Sequence, residues 1–507
     1  MNLVKVKGLP GTGKTTKLFS MIEEYGLPYD GITLATYRKT VATSLKNSIP
    51  SSALDNNRNI GTLHAIALHN LRLAKGDYTV ISPEDKFLFL FGKNWRERNK
   101  RERDIVDQAV SWYISHKTLK NYPGRTSLGD IKDETIINQA EAYTRFKEEH
   151  NLHDFDDMIR DCREEAISPE SKTLIVDEFQ DLNSSQYELF LLWADTMELV
   201  IIAGDPFQSI QRWAGGVPEF WNSLKGEEIL LPESYRLRQP HIDYAWDIIK
   251  GQVPPEIKSA RNPARYGSGL KNISMITTSE VPNYIAATRS ASTLHLARAQ
   301  HILTDVVGVP DIMEGLGIPY STNMDGLGWS KEDAMLHNAV FQYKMKSYAE
   351  AAQKREEAFA VIKQFIEPGA LDRDAQRNLK HDGGMSTWTA QLQSDRPYSR
   401  GFVFSEDSRR GRMLTAASKS LWGKLSLAEQ NTQLMTIHAA KGLEADTVFL
   451  YDITTPRVLE EMRQDKRILE EEQRVWFVGA TRVRENLIIV RPSKDEGSAS
   501  GMLNANC

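Results

Sequence analysis

The feature that most constrains this chain lies in its first sixteen residues. A short apolar stretch, Leu3-Val4-Lys5-Val6, runs into Gly8-Leu9-Pro10-Gly11-Thr12-Gly13-Lys14-Thr15, and a helical pattern follows. Strand, glycine-rich turn and helix in that order make a phosphate-binding loop. Glycines let successive backbone N–H groups converge on phosphate oxygens where a Cβ would clash. The helix that starts there offers its positive end to the anion. In such a loop Lys14 reaches the β- and γ-phosphates and Thr15 holds Mg²⁺. The candidate binding set is Gly8, Gly11, Thr12, Gly13, Lys14, Thr15 and Thr16.

A second strand pattern, Leu174-Ile175-Val176, ends in Asp177-Glu178-Phe179-Gln180-Asp181. An acid at the carboxyl end of a buried strand can face a phosphate loop across the sheet edge. There Asp177 would hold Mg²⁺ through water, and Glu178 would orient or deprotonate the attacking water. Phosphoryl transfer needs positioning and charge neutralisation more than covalent chemistry. Read alone, the same run also suits a solvated acidic helix cap; the phosphate loop tips the balance toward the catalytic reading.

Further apolar runs suit buried strands: Ile32 to Ala35, Thr173 to Val176, Leu199 to Ala203, Tyr284 to Ala287, Val448 to Tyr451 and Leu487 to Val490. Helical patterns lie between many of them, which indicates parallel sheets covered on both faces. The runs form an early group ending near 203 and a late group starting near 284, so two α/β units are expected. Residues 71 to about 150 read as charged helices, and 331 to about 430 begin helically and then loosen. Both look like insertions on the two sheets.

With 507 residues the chain has room for several domains. Its net charge of −5 argues against a non-specific nucleic-acid coat, yet leaves room for a local basic groove. Cys162 and Cys507 are the two cysteines, without metal-ligand spacing, which fits a reducing cytoplasm and no disulfide framework. No apolar run is long enough to span a membrane, and the start lacks a signal-peptide core.

Beyond the phosphate loop and DEFQD, an ordered series of segments makes the resemblance specific: Leu34 to Thr40 (LATYRKT), Gly61-Thr62-Leu63-His64, Asp154-Phe155-Asp156-Asp157-Met158, Gly204 to Gly216 (GDPFQSIQRWAGG), Leu231 to Arg236 (LPESYR), Leu434 to Glu444 (LMTIHAAKGLE) and Glu471 to Glu485 (EEQRVWFVGATRVRE). The chain resembles the UvrD/Rep/PcrA branch of superfamily 1A DNA helicases over most of its length. The resemblance implies an α/β fold of two RecA-like parallel-sheet domains in tandem, each with a mostly helical insertion. The first RecA-like domain would comprise 1–70 and 151–235, with insertion 71–150. The second would comprise 236–330 and 431–492, with a reduced insertion at 331–430 and a flexible tail at 493–507.

It also implies roles at matching positions. Lys14, Glu178 and Gln208 would act on the γ-phosphate. Arg236 and Arg482 would reach it from the second unit as arginine fingers. Tyr235 would stack on adenine, and Gly442 and Glu444 would sit at the nucleotide, Glu444 on its ribose. ATP and Mg²⁺ are the implied ligands. Tyr37 and Trp213 would stack on bases, while Thr36, Thr62, His64, Thr436 and His438 would touch phosphates or sugars. The implied activity is ATP-driven 3′→5′ movement on single-stranded DNA and unwinding at single-strand/duplex junctions, by a cytoplasmic monomer. The alternative is a nucleic-acid-dependent NTPase clamp that does not unwind; RNA as the track is also open.

Several departures carry expectations. Only seven residues precede Gly8, too few for the family's upstream glutamine segment, so base selectivity should be relaxed. Gln211 replaces a stacking Tyr and Ala214 an Arg. Fifteen polar residues follow Pro492, so the usual strand-separation pin should be missing. Between Arg396 and Lys424 basic and aromatic residues interleave, which suits either a nucleic-acid face or a solvated surface.

Overall fold

The protein is described from a computed structural model. It covers residues 2–36, 58–94, 100–120, 128–210, 219–249, 257–261, 272–329 (without 289, 291, 317, 325 and 326) and 431–493, with isolated positions between 42 and 49 and Tyr122. The chain divides into two compact units, Met1–Glu233 and Ser234–Cys507.

The first unit is built on six strands: β1 (Asn2–Gly8), β2 (Ile32–Thr36), β3 (Ile60–Thr62), β4 (Thr173–Asp177), β5 (Leu199–Gly204) and β6 (Glu227–Leu231). They lie in the order β3-β2-β4-β5-β1-β6, and each neighbouring pair is parallel. Parallel neighbours need crossovers, which put helices on both faces and explain why the central strands read as unbroken apolar runs. Successive residues serve opposite faces. Ile175 and Ile201 pack with Leu18, Met21 and Ile22 of α1 (Lys14–Glu24). Leu174, Val176, Val200 and Ile202 face a core shared by α2 (Leu63–Lys75) and two later helices.

A helical layer interrupts this sheet: α3 (Pro83–Phe91), α4 (Lys100–His116) and α5 (Asp133–His150), with a separate core of Val106, Ala109, Val110, Ile136, Ala140 and Tyr143. The chain then returns through α6 (Phe155–Glu164) and, after β4, α7 (Ser184–Asp195). The DFDDM segment explains how α6 starts. Asp154 accepts from the N–H groups of Asp156 and Asp157, and Asp157 accepts from Asp154 N, a closed capping box. Buried Lys147 of α5 binds both carboxylates, at 2.8 and 2.5 Å, and so ties the helical layer to the sheet unit.

The second unit repeats the plan: β7 (Ile273–Thr277), β8 (Ser292–Ala297), β9 (Ser321–Thr322), β10 (Asn431–Thr436), β11 (Ala445–Tyr451) and β12 (Val483–Arg491), in the order β7-β12-β11-β8-β10-β9 and all parallel. One face is covered by α8 (Gln239–Ile249) and α12 (Lys466–Ala480), where Trp246 stacks on Phe477 with centroids 5.7 Å apart. The other face packs α9 (Val281–Ala287) and α10 (Val309–Leu316) against Leu434, Phe449 and Tyr451. A further helix, α11 (Pro456–Gln464), precedes α12. The chain therefore has the expected α/β class, with tandem RecA-like parallel sheets.

One strand expectation is overturned. Tyr284 to Ala287 lies in helix α9. Glu280 accepts from Thr277 N at 2.8 Å and closes a turn there, and Pro282 follows in the first helical turn, where its missing N–H costs nothing. The strand lies upstream, at Ile273–Thr277, so the second sheet starts earlier than 284. The first sheet also continues past 203, to Leu231. No helix among the described residues is long and apolar enough to cross a membrane. The 331–430 insertion, the basic span 396–424, Tyr37, Gln211, Trp213, Ala214 and the tail from 494 lie outside the described residues.

Candidate active site

The carboxyl ends of β1, β4 and β5, three adjacent strands, carry the phosphate-loop group. β1 ends at Gly8, and the chain turns through Gly11 and Gly13, at φ 73° and 79°, both left-handed. Gly13 caps α1, whose first residue is Lys14. At Gly8 the space itself demands glycine: a Cβ there would lie 2.2 Å from Thr12 Oγ1. Thr12 donates to the carbonyl of Leu9 at 2.9 Å, and Lys14 Nζ donates to the carbonyls of Gly8 (3.0 Å) and Leu9 (3.2 Å). A cradle with no room for a side chain, closed by a buried ammonium at a helix start, suits an anion of phosphate size.

Thr15 Oγ1 donates to Asp177 Oδ2 at 2.8 Å. The hydroxyl and the carboxylate, 162 positions apart in sequence, meet as hard oxygen donors of the kind that would hold Mg²⁺. Burial pushes the Asp177 carboxyl up to about 6, Glu178 adds to the rise, and Thr15 and Lys14 oppose it. Glu178 follows in the left-handed region at φ 56°, an uncommon conformation for a side-chain-bearing residue.

Two residues that the sequence reading quoted without a role join the group. Gln180 donates to Glu178 Oε2, and its Oε1 accepts from Asp205 N at 3.0 Å. Asp205 in turn accepts from Gln208 Nε2 at 2.8 Å. Glu178, Gln180, Asp205 and Gln208 thus form one hydrogen-bonded chain across β4 and β5. Burial raises the Asp205 carboxyl, while Lys14 and Gln208 hold it down. The signal was local: both residues fall inside the quoted DEFQD and GDPFQ segments. Thr16, on α1 one residue beyond Thr15, has its β-carbon 3.9 Å from the Cβ position of Gly13.

Three of the residues expected at nucleic acid lie along the same sheet edge. Thr36 closes β2 in register with both Thr62 and Asp177. Its buried hydroxyl has no hydrogen-bond partner among the described residues. Thr62 caps α2, accepting from Ala65 N at 3.2 Å. His64 meets Phe155 edge-on at 5.7 Å, and burial lowers its ring to about 4.

In the second unit, Arg236 pairs with Glu444, joining two of the expected residues directly. Tyr235 beside them is 66% exposed, open to stacking. Arg482 is buried. Its Nε donates to Val478 O at 2.9 Å and its Nη1 to Leu443 O at 3.3 Å, next to Glu444. Gly442, at φ 87°, turns the chain just before them. Thr436 ends β10 and accepts from Ala439 N at 3.3 Å. Burial lowers the His438 ring to about 3, helped by Arg298 and Lys441. Arg298 itself binds Glu472 of α12 with two nitrogens.

Comparison with known proteins agrees with this layout. Residues 2–228 match the UvrD/REP helicase N-terminal domain, and residues 414–494 match the UvrD-like helicase C-terminal domain. The chain belongs to the UvrD/Rep family of superfamily 1A helicases. Among its relatives, YjcD of Bacillus subtilis (strain 168) is 22% identical, covering 97% of this chain and 77% of the relative. DNA helicase II of Rickettsia typhi is 23% identical, covering 94% of this chain and 88% of the relative. The ATP-dependent DNA helicase Rep of Buchnera aphidicola is 26% identical over a shorter stretch, 52% of this chain and 43% of the relative. The family's two domain matches fall on the two units, one on each.

Proposed function

We propose that this protein is an ATP-dependent DNA helicase that moves 3′→5′ along single-stranded DNA and separates strands at duplex junctions. The observation that carries the reading is the Gly8–Thr15 loop with its Thr15–Asp177 contact, in a chain of the UvrD/Rep family. Lys14 neutralises charge on the β- and γ-phosphates. Thr15 and Asp177 hold Mg²⁺, which when bound neutralises phosphate oxygens. Glu178, aimed by Gln180, orients the attacking water, and Gln208 reports the state of the γ-phosphate through Asp205. Arg236 and Arg482 offset the charge of the transferred phosphoryl group. Tyr235 stacks on the base and Glu444 takes the ribose, beside Gly442.

On the DNA side, Tyr37 and Trp213 supply stacking, and Thr36, Thr62, His64, Thr436 and His438 contact the backbone. Stacking grips any base, as a motor requires. Thr36 supports the link between the two activities, since it stands in register with Asp177 on one side and Thr62 on the other.

The test is hydrolysis of ATP with and without single-stranded DNA, followed by strand separation on duplexes with a 3′ or a 5′ tail. DNA-stimulated hydrolysis with unwinding of the 3′-tailed form alone is expected, and Lys14→Ala should abolish both. Unwinding of the 5′-tailed form alone would refute the polarity. Stimulation without unwinding would refute the helicase activity in favour of a clamp.

A further inference from the structure

Glu444 is held by two arginines, one on each oxygen. Arg236 Nη2 pairs with Oε2, and Arg484 places Nε and Nη2 on Oε1 at 2.9 and 2.5 Å. Burial alone would raise the Glu444 carboxyl. Arg236 first, then Arg484 and Arg482, outweigh that and hold it below its ordinary value, so it is an anion at neutral pH.

The backbone beneath both arginines is pinned. Arg261 Nη1 donates to the carbonyl oxygens of Arg236 (3.3 Å) and Arg484, and its Nη2 binds Glu485 Oε1 at 2.5 Å. Arg238 Nη2 takes the other oxygen of Glu485, and its Nη1 donates to Asn272 Oδ1 at 3.0 Å. With the main chain laced in this way, an exchange of partners at Glu444 is an exchange between side chains.

A hydroxyl that donates to Oε2 of Glu444 shares that oxygen with Arg236, weakens its hold on the guanidinium and leaves the Arg484 contacts on Oε1 in place. We propose that Arg484 is a positioning residue: it anchors Glu444 through Oε1 so that the sugar hydroxyl of a bound nucleotide can take Oε2 and free Arg236 for the phosphoryl group. This rests on the nucleotide-hydrolysis reading above. The energetic reason is specific. Separating a half-buried ion pair is costly when it leaves a lone charge. With Arg484 present, Glu444 keeps a fork-shaped cationic partner after Arg236 departs. Without it, Glu444 holds Arg236 more tightly and the catalytic arginine is trapped.

Steady-state ATP hydrolysis by the full chain tests this with Arg484→Ala, Arg484→Lys, Glu444→Gln and the Arg484→Ala/Glu444→Gln pair. Arg484→Ala should lower kcat about tenfold while KM changes by less than about twofold. Arg484→Lys, which restores the charge without the fork, should recover part of the loss. Glu444→Gln removes the anion that traps Arg236, so the double variant should turn over faster than Arg484→Ala alone, with KM raised by the weakened sugar contact. A scaffold role for Arg484 would not be rescued in this way. Wild-type kcat in Arg484→Ala, or a double variant as slow as the single, would overturn the proposal. Hydrolysis that survives Lys14→Ala would instead strike the underlying reading.

Discussion

Both histidines expected at the DNA are neutral. His438, lowered to about 3, and His64, lowered to about 4, carry no charge at pH 7. They can hydrogen-bond a phosphate or sugar but displace no counterion. The slope of log affinity against log salt counts neutralised phosphates. His64→Ala and His438→Ala should therefore weaken single-stranded DNA binding, each by about 0.5–1.5 kcal/mol, with an unchanged salt slope. A filter-binding or anisotropy titration from low to moderate salt checks this; a slope reduced by about one would show that the ring binds as a cation. At this scale the sequence was legible where chemistry fixes residue type and spacing together, as in Gly8 to Thr15. It was not legible where a residue's role lies in aiming another. Nothing about Gln180 in isolation says that it bridges Glu178 to Asp205, because that bridge joins the ends of two strands.

At the scale of elements, legibility followed burial on both faces. β4 and β5 are apolar on both sides and were read directly. β7 is an edge strand with Met275 at 55% exposure, and β8 carries Ser292, Thr293 and His295, so neither shows an apolar run. His295 is tolerated inside because its Nδ1 meets Tyr451 Oη at 2.8 Å and its ring stacks on Phe449 at 4.4 Å, contacts invisible in a one-dimensional pattern. The junction of β5 with the Gly204-Asp205 turn shows how tightly the elements meet at the site. A Cβ on Gly204 would lie 2.5 Å from Gln180 Oε1 and 3.1 Å from the Trp221 ring. Gly204→Ala should thus destabilise the first unit by about 1–3 kcal/mol through overpacking, and should slow hydrolysis because Gln180 must move off Asp205. Denaturant unfolding with a parallel ATPase assay reads both; unchanged stability together with unchanged turnover would show that the Gln180 bridge does not matter.

For the whole molecule, the two units should respond differently to acid. Among the described residues the second holds three rings with lowered values: buried His241 at about 4, buried His295 at about 3 and half-buried His438 at about 3. Each binds a proton near 6.5 when unfolded but not when folded. Below that pH the unfolded state takes up protons that the folded state refuses, so stability drains away as pH falls from about 6.5 toward 4. Glu444, held below its ordinary value, adds a loss of the same sign as pH falls through the carboxylate range. The first unit has His64, His69 and Asp154, all lowered, acting in that direction, but buried Asp177, raised to about 6, acts in the other. Its folded form binds a proton between about 6 and 4 that the unfolded chain binds only near 3.9, so acid stabilises this group. Asp205, also raised, has the same sign. Calorimetry at pH 7 and pH 5 should resolve two transitions, with the one belonging to the second unit falling further, by about 5 °C or more. His295→Phe should reduce that fall because it removes one ring that must stay neutral inside the sheet. Parallel loss in both units would mean that Asp177 and Asp205 do not offset His64, His69 and Asp154.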